Sequence, residues 1–233
     1  MIISVDGNIG SGKSTFIEQL ASELTTKSEQ IAVYPEDVDN WSKEGWLQLF
    51  YSNMEKYAFG FQSRVLMSYG QLFKSIKYPR KVTTIVERNK QSSMMIFSKN
   101  SLNNGRFTQL EYDTLMKLAD MLIDWTPDLI IYVNTQPEIC QQRINERKRN
   151  GEAGIPLEYL QQIHDLHTAY LDYMKSIGVR VEEIDGTQSA EKVYKDGLAI
   201  ICKYTVHPEL CGAHGGRRNT RKKKKYVRKS RRV

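Results

Sequence analysis

The sequence predicts an α/β fold in which a parallel sheet is covered by helices on both faces. Five short runs rich in β-branched residues alternate with segments of helical spacing, and most of the runs are largely apolar, as expected of strands buried on both faces. The runs are residues 2–5, 31–34, 82–86, 129–133 and 179–184. A glycine-rich loop follows the first run directly. Because ligands of such sheets bind beyond the carboxyl ends of the strands, we expect the functional site there.

Composition supports one globular domain and excludes several other classes. The chain has 233 residues, of which 40% are hydrophobic and 26% are charged, enough to bury a sizeable core. No run reaches the roughly 18 apolar residues of a membrane span, and residues 1–5 lead directly into the glycine-rich loop. We therefore expect neither a membrane segment nor a signal segment. The three cysteines form no disulfide framework, so we expect a cytoplasmic protein that is not secreted.

The positive charge is concentrated at one end of the chain. Residues 217–233 hold 11 of the 34 Lys and Arg residues and no acid, which leaves residues 1–216 with 23 bases against 27 acids. This predicts a disordered basic tail at 217–233 after a linker at 204–216. Such a tail suits weak contact with nucleic acid or with an import receptor, and the latter would allow a nuclear location. A zinc site with C-x4-H-x3-C-x2-H spacing remains an alternative to an ordinary linker at Cys202, His207, Cys211 and His214.

The stretch GNIGSGKST, residues 7–15, fits the phosphate-binding pattern G-x-x-x-x-G-K-[ST] at every fixed position. Its glycines allow backbone N–H groups to surround a phosphate, Lys13 neutralises the outer phosphates, and Ser14 can ligate magnesium. The loop opens a predicted helix, whose amino terminus adds positive potential. The predicted nucleotide-binding residues here are Gly7, Asn8, Ile9, Gly10, Ser11, Gly12, Lys13, Ser14 and Thr15.

Acidic residues stand where two further strands end. Glu36 follows the second strand, and Glu87 and Arg88 end the third. Because parallel strands point their carboxyl ends at one edge, these side chains should face the phosphates. Glu36 is placed to take a proton from an attacking hydroxyl, and Glu87 to hold magnesium or its water. Asp37 and Asp39 are interpreted as a turn and a helix start whose side chains cap free N–H groups.

A third cluster, residues 143–156, combines arginines with helix-breaking residues. Arg143 and Arg147 share one helix face, and Arg149 lies further round. Guanidinium groups suit the charge that spreads over phosphoryl oxygens during transfer, and glycines allow a segment to close over a site. Gly151, Gly154 and Pro156 break the helix, and we interpret this stretch as a lid.

Taken in order, five motifs resemble the deoxynucleoside kinase family. They are GNIGSGKST, PEDVDNW, FYSNMEKYAFGFQ, VERNKQSS and RINERKRNGEAGIPLEYLQQIH, and the resemblance runs from residue 2 to about residue 202. It implies a doubly wound five-stranded parallel sheet within a kinase domain at 1–203, usually in a homodimer. It also implies transfer of the γ-phosphate of ATP, with Mg²⁺, to the 5′-hydroxyl of a deoxynucleoside.

The resemblance further implies roles for individual residues. Glu36 would be the general base, and Arg88 would lie beside it to orient the base or the oxygen. The predicted sugar contacts at the 3′-hydroxyl are Tyr51 and Glu152, and Gln62 would read the base edge through its amide. The predicted stacking walls, for which plain core packing is the alternative, are Trp41, Phe61 and Phe97.

Departures from the family pattern bear on specificity. The chain has Asn89 where the family usually has Ser, and Gly151 where the lid commonly carries a second acid. Kinases that favour deoxycytidine and purines tend to carry an Arg and an Asp where this chain has Tyr69 and Ser93. We therefore expect a preference for pyrimidines, thymidine first, although the bulk of Tyr69 would equally tighten the pocket against 5-substituents.

Two other functions remain open. A nucleoside monophosphate kinase shares the loop and lid, but its charged acceptor calls for arginines near the second strand, where this chain has Glu36, Asp37 and Asp39. A nonenzymatic scaffold or nucleic-acid-binding protein would act through the basic tail. Such a scaffold has no physical need for Lys13 and Ser14 in an intact phosphate loop.

Overall fold

The computed structural model describes residues 1–24, 31–76, 83–149, 151–152 and 154–205. All five predicted strands are present. Their bounds are β1 (Ile2–Gly7), β2 (Ile31–Tyr34), β3 (Thr83–Glu87), β4 (Leu129–Asn134) and β5 (Arg180–Asp185). They form one parallel sheet in the order β2-β3-β1-β4-β5, which confirms the predicted fold class.

Helices fill the connections between the strands. Within the described residues, the segment between β2 and β3 carries three helices. A π-helical segment, Ser93–Ser98, lies within the connection from β3 to β4. The remaining elements are α1 (Lys13–Leu24), α2 (Val38–Lys43), α3 (Trp46–Ser52), α4 (Met54–Ser75), α5 (Lys90–Ser92), α6 (Lys99–Asn103), α7 (Gln109–Leu122), α8 (Pro137–Arg147), α9 (Leu157–Ser176) and α10 (Ala190–Tyr204).

Strand β1 shows why the sheet is wound on both faces. All six of its residues are buried, and alternate side chains point to opposite sides. Ile3 and Val5 pack with α1 and α10, whereas Ile2 packs into a separate core with α4 and α7. Fully burying each such side chain contributes about 1.5–3 kcal/mol. The two cores hold the strand ends in fixed positions.

The start of α2 corrects one detail of the sequence interpretation. Asp37 does precede α2, but its side chain makes no capping hydrogen bond. Its carboxylate instead accepts hydrogen bonds from Asn40 Nδ2 at 2.6 Å, from Ser68 Oγ at 3.1 Å and from Arg64 at 3.4 Å. Because Arg64 and Ser68 lie on α4, Asp37 ties two helices of the pocket wall together.

Some predictions concern parts of the chain beyond these residues. The basic tail 217–233, almost all of the linker 204–216, and three of the four proposed zinc ligands lie outside the described residues. Within the described ranges, no helix is both long enough and apolar enough to cross a bilayer.

Candidate active site

The phosphate loop is held tightly between β1 and α1. Gly10 has φ +80°, and a Cβ there would lie 2.5 Å from the backbone oxygen of Cys140, so only glycine fits. Asn8 anchors the loop to α9 by donating from Nδ2 to Leu160 O at 2.9 Å. Lys13 is buried and donates to Asn8 O at 3.3 Å. Burial lowers the pKa of Lys13 to about 8, with Arg88 adding to the effect.

Ser14 and Glu87 form the predicted magnesium end of the site. Ser14 Oγ donates to Glu87 Oε1 at 2.6 Å, and Glu87 Oε2 accepts from the backbone N–H of Glu36 at 3.2 Å. Lys13 Nζ lies 3.7 Å from Glu87 Oε1. Although burial opposes it, Lys13 and the Ser14 hydrogen bond hold the pKa of Glu87 below its ordinary value. A hydroxyl and an ionised carboxylate at one point are hard oxygen donors that fit Mg²⁺.

Glu36 and Arg88 form a buried ion pair at the neighbouring strand ends. Arg88 donates to Glu36 Oε2, and these side chains are only 8% and 6% exposed. Burial raises the pKa of Glu36 above its ordinary value, while Arg88 opposes the rise. The guanidinium of Arg88 also lies over the ring of Phe97 at 4.6 Å from the centroid. We call Lys13, Glu36, Glu87 and Arg88 the strand-end cluster.

The turn that carries Arg88 is fixed from behind by Asn89. Arg88 has φ +58°, a conformation that is uncommon for a bulky residue. Asn89 caps α5 and donates from Nδ2 to Ser4 Oγ at 2.8 Å, to Asp6 Oδ2 at 3.1 Å and to Tyr170 OH at 2.8 Å. These buried bonds offset the cost of the Arg88 conformation. The sequence interpretation noted Asn89 only as a departure from the family pattern.

The strand-end cluster opens into a cavity of about 650 Å³, a volume that includes open solvent at its mouth. We call it the acceptor cavity. Every residue predicted to contact the acceptor lines it, as do Lys13, Ser14, Arg147 and Arg149. The predicted set brought together here is Glu36, Trp41, Tyr51, Phe61, Gln62, Arg88, Phe97 and Glu152.

The aromatic walls of the acceptor cavity are also core residues. Trp41 and Phe61 are 3% and 6% exposed and meet edge to face, with ring centroids 5.7 Å apart. Trp41 Nε1 donates to Ser68 Oγ at 2.9 Å, which fixes the indole. Phe50, which the sequence interpretation missed, packs on Phe61 with centroids 5.0 Å apart and lines the same cavity. The same aromatic rings therefore pack in the core and line the acceptor cavity.

Helix α4 supplies one stripe of the cavity wall. Gln62, Val65 and Tyr69 lie at helical spacing and all line the cavity. Ser93 Oγ and Ser98 Oγ each donate to Gln62 Oε1 at 3.4 Å. Because these two hydroxyls come from the π-helical segment, that segment sets the orientation of the Gln62 amide. Such segments are frequent at functional sites.

The predicted lid arginines divide between two sides of the phosphate loop. Arg147 Nε donates to Glu152 Oε2 at 2.9 Å, and Arg149 donates to Glu152 Oε1 at 3.4 Å. Arg143 instead donates to Ser11 O at 3.1 Å and to Gly186 O at 2.8 Å. Arg143 thus braces the phosphate loop, while the other two arginines face the acceptor cavity. We call Arg147, Arg149 and Glu152 the lid cluster.

A second cavity of about 500 Å³ lies on the Arg143 side of the phosphate loop. The sequence interpretation missed the part of it that follows β5. The available signal was the stretch DGTQS at 185–189, which is rich in turn-forming residues and follows a strand that ends at the functional edge of the sheet. We call this the donor cavity; it is lined by Ser11, Gly12, Thr15, Phe16, Arg143, Gly186, Gln188, Ala190 and Val193.

Comparison with known proteins agrees with this arrangement. Thymidine kinase of Ictalurid herpesvirus 1 (strain Auburn) is 30% identical over 215 residues, covering 90% of this chain and 89% of that protein. Mitochondrial thymidine kinase 2 of Homo sapiens is 31% identical over 176 residues, covering 73% of this chain and 64% of that protein. Deoxycytidine kinase of Mus musculus is 30% identical over 220 residues, covering 78% and 83%. The family model described as deoxynucleoside kinase matches residues 3–203, and the chain belongs to that family.

Proposed function

We propose that this protein transfers the γ-phosphate of ATP to the 5′-hydroxyl of a deoxynucleoside, and that thymidine is its preferred substrate. One observation carries the proposal. The carboxylate of Glu36 lies where the acceptor cavity meets the phosphate loop, and its own backbone N–H is bonded to Glu87 beside Ser14. A hydroxyl bound in the cavity would therefore have a proton acceptor on one side and the transferring phosphate on the other.

The reaction follows from these positions. Glu36 takes the proton of the 5′-hydroxyl while that oxygen forms a bond to the γ-phosphorus. The bond between the γ-phosphorus and its bridging oxygen breaks, and ADP leaves with the electron pair. Lys13 and the arginines of the lid cluster face the charge that spreads over the transferring oxygens. Arg88 holds the Glu36 carboxylate ready before the substrate arrives.

Ser14 and Glu87 would hold Mg²⁺ together with the donor phosphates. When it is bound, the ion neutralises charge on the β- and γ-phosphate oxygens. The backbone N–H of Glu36 and the ammonium of Lys13 both approach Glu87, so this chain holds the carboxylate ionised for that purpose.

Pairing of the cavity cations favours a neutral acceptor over a nucleoside monophosphate. Arg88 is paired with Glu36, and both Arg147 and Arg149 are paired with Glu152. A phosphate on the acceptor would have to displace one of these carboxylates or lie against it. A neutral hydroxyl requires no such displacement.

Two features support the pyrimidine preference. The Gln62 amide offers a donor and an acceptor side by side, which matches the O4 and N3–H of thymine once Oε1 exchanges one of its two long serine contacts for N3–H. Tyr69 and Ser93 put no charged pair at the base end of the cavity. We expect the highest kcat/KM for thymidine among the deoxynucleosides.

The donor cavity offers room for the base of ATP. It adjoins Ser11 and Gly12 of the phosphate loop on the side away from the acceptor cavity. A nucleotide whose phosphates lie on the loop could therefore extend its base into this cavity, between Phe16 and the Gly186 turn. The acceptor and the donor would then approach the transferring phosphate from opposite sides.

We expect a homodimer formed through α4 and α7. These helices pack on each other, and α7 shows a spaced apolar stripe of Leu110, Leu118 and Met121 with exposures of 77%, 39% and 82%. Met67 of α4 is 54% exposed. Burying such a stripe against a second copy would remove it from water. Met121→Glu should give a monomeric mass by light scattering, and an unchanged dimer would exclude this face.

For the basic tail we propose weak contact with nucleic acid in the cytoplasm or nucleus. Deleting residues 217–233 should leave kinase activity intact and lower retention on DNA at low salt, because such contacts depend on counterion release. If the truncated protein is retained as strongly as the full chain, the tail has no such role.

The deciding experiment is an assay of the purified protein with labelled ATP and Mg²⁺. The acceptors are the four deoxynucleosides and thymidine monophosphate, each tested separately. We expect labelled deoxynucleoside monophosphates, with thymidine the best acceptor. Turnover of thymidine monophosphate without turnover of any deoxynucleoside would establish the monophosphate kinase alternative instead. No transfer to any acceptor, with DNA binding retained, would favour the nonenzymatic alternative.

A further inference from the structure

Tyr69 occupies a point between the base end of the acceptor cavity and the strand-end cluster. It lies seven residues after Gln62 on α4, which is two helical turns along the same face. Its side chain is buried, with only 5% exposure, and both residues line the cavity. The same stripe of α4 therefore contributes to both ends of the bound acceptor.

The phenol of Tyr69 contacts the proposed general base directly. Tyr69 OH donates to Glu36 Oε1 at 3.3 Å, while Arg88 donates to the other oxygen, Oε2. The carboxylate is thus held from two sides, by α4 and by the turn after β3. Two such contacts prevent rotation of the carboxylate about its final bond, which a single contact would leave possible.

We propose that Tyr69 is a positioning residue that fixes the Glu36 carboxylate for proton abstraction from the acceptor hydroxyl. The inference rests on the proposed function, since it requires Glu36 to act as the base. Oε1 has two lone pairs, so it can accept from Tyr69 and still receive the substrate proton. The phenol keeps its own proton throughout.

A different role for the same side chain must be separated from this one. The ring of Tyr69 also walls the cavity, and a wall residue acts on substrate binding and base choice. The hydroxyl and the ring can be removed independently. Tyr69→Phe retains the ring and removes the bond to Glu36, whereas Tyr69→Leu removes both.

The experiment measures the single-turnover rate of phosphoryl transfer to thymidine, together with kcat and KM. For Tyr69→Phe we expect the transfer rate and kcat to fall about 5- to 10-fold, because the lost bond is long, at 3.3 Å, and Glu36 keeps its bond from Arg88. KM for thymidine should change less than about twofold. Tyr69→Leu should show the same rate loss and, in addition, an altered KM. Tyr173→Phe, at a half-exposed position on α9, is the matched control and should behave as wild type.

A double-mutant cycle tests whether Tyr69 acts through Glu36. In a Glu36→Gln background, Tyr69→Phe should cause no further loss of rate, because the base that it positions is already gone. The inference would be overturned if Tyr69→Phe lowered the transfer rate by the same factor in the Glu36→Gln background as in the wild type. It would also be overturned if Tyr69→Phe alone changed only KM. Absence of deoxynucleoside phosphorylation by the wild-type protein would instead overturn the proposed function, so the two failures are distinguishable. Equal melting temperatures would show that the variants fold.

Discussion

The lid cluster and three members of the strand-end cluster, Lys13, Glu36 and Arg88, line the acceptor cavity, but the exposure of their cationic side chains differs. Side chains of the strand-end cluster are between 3% and 8% exposed, whereas both lid arginines are 30% exposed. Buried charges interact in a low dielectric and need little rearrangement when the reaction occurs. Partly exposed arginines are screened by water and can exchange partners. We therefore expect the strand-end cluster to carry the chemistry and the lid cluster to control access to the cavity and its charge.

The largest expected effect follows from removing the proposed base. Glu36→Gln keeps the size of the side chain but cannot take the proton, so turnover should fall by roughly two to four orders of magnitude. ATP binding, measured by calorimetry, should remain close to wild type because the phosphate loop is untouched. Glu18→Gln, at an exposed position of α1, is the control. If Glu36→Gln retained most of its turnover, the strand-end cluster would not carry the chemistry.

The strands, the strand-end residues and the phosphate loop could be predicted because they depend on local sequence. The runs that form β1 to β5 are short and β-branched, and parallel pairing brings their carboxyl ends to one edge whatever the exact packing. Glu36, Glu87 and Arg88 follow directly from that rule. The phosphate loop could be predicted from its own residue spacing and from the predicted strand and helix on either side of it.

The remaining contacts depend on distant partners, which no local pattern specifies. Asn89 reaches Tyr170 across 81 positions of sequence, and Tyr69 reaches Glu36 across 33. Arg143 was grouped with Arg147 because the two share a helix face, yet it bonds to the phosphate loop 132 positions away. Helical spacing predicts a shared face but not the partner on each side.

A smaller effect is expected from the lid cluster. Arg147→Gln removes a guanidinium that bonds Glu152 and faces the cavity, and a lost hydrogen bond to a charged group of about 1.5–3 kcal/mol corresponds to about a 10- to 150-fold lower kcat. Lys148→Gln, one residue further along and exposed, is the matched control. The loss should remain below that of Glu36→Gln. A loss from Arg147→Gln equal to that from Glu36→Gln would remove the distinction between the clusters.

The smallest effect should come from the lid backbone, where two glycines provide an internal comparison. Gly151 and Gly154 both have φ +90°, so alanine at either position costs about 1–2 kcal/mol of backbone strain. A Cβ on Gly151 would also lie 3.1 Å from Gln48 N and 3.2 Å from Leu47 C, whereas a Cβ on Gly154 meets nothing within 4 Å. Gly151 therefore lies against the start of α3, and Gly154 does not.

Because the backbone strain is shared, the difference between Gly151→Ala and Gly154→Ala isolates the contact with α3. We expect kcat/KM for the deoxynucleoside to be about five- to tenfold lower in Gly151→Ala than in Gly154→Ala, since about 1 kcal/mol of crowding would oppose closure of the lid. The single-turnover transfer rate at saturating substrate should differ less, because the strand-end cluster is unchanged. Equal kcat/KM values in the two variants would show that contact between the lid and α3 does not control access to the cavity.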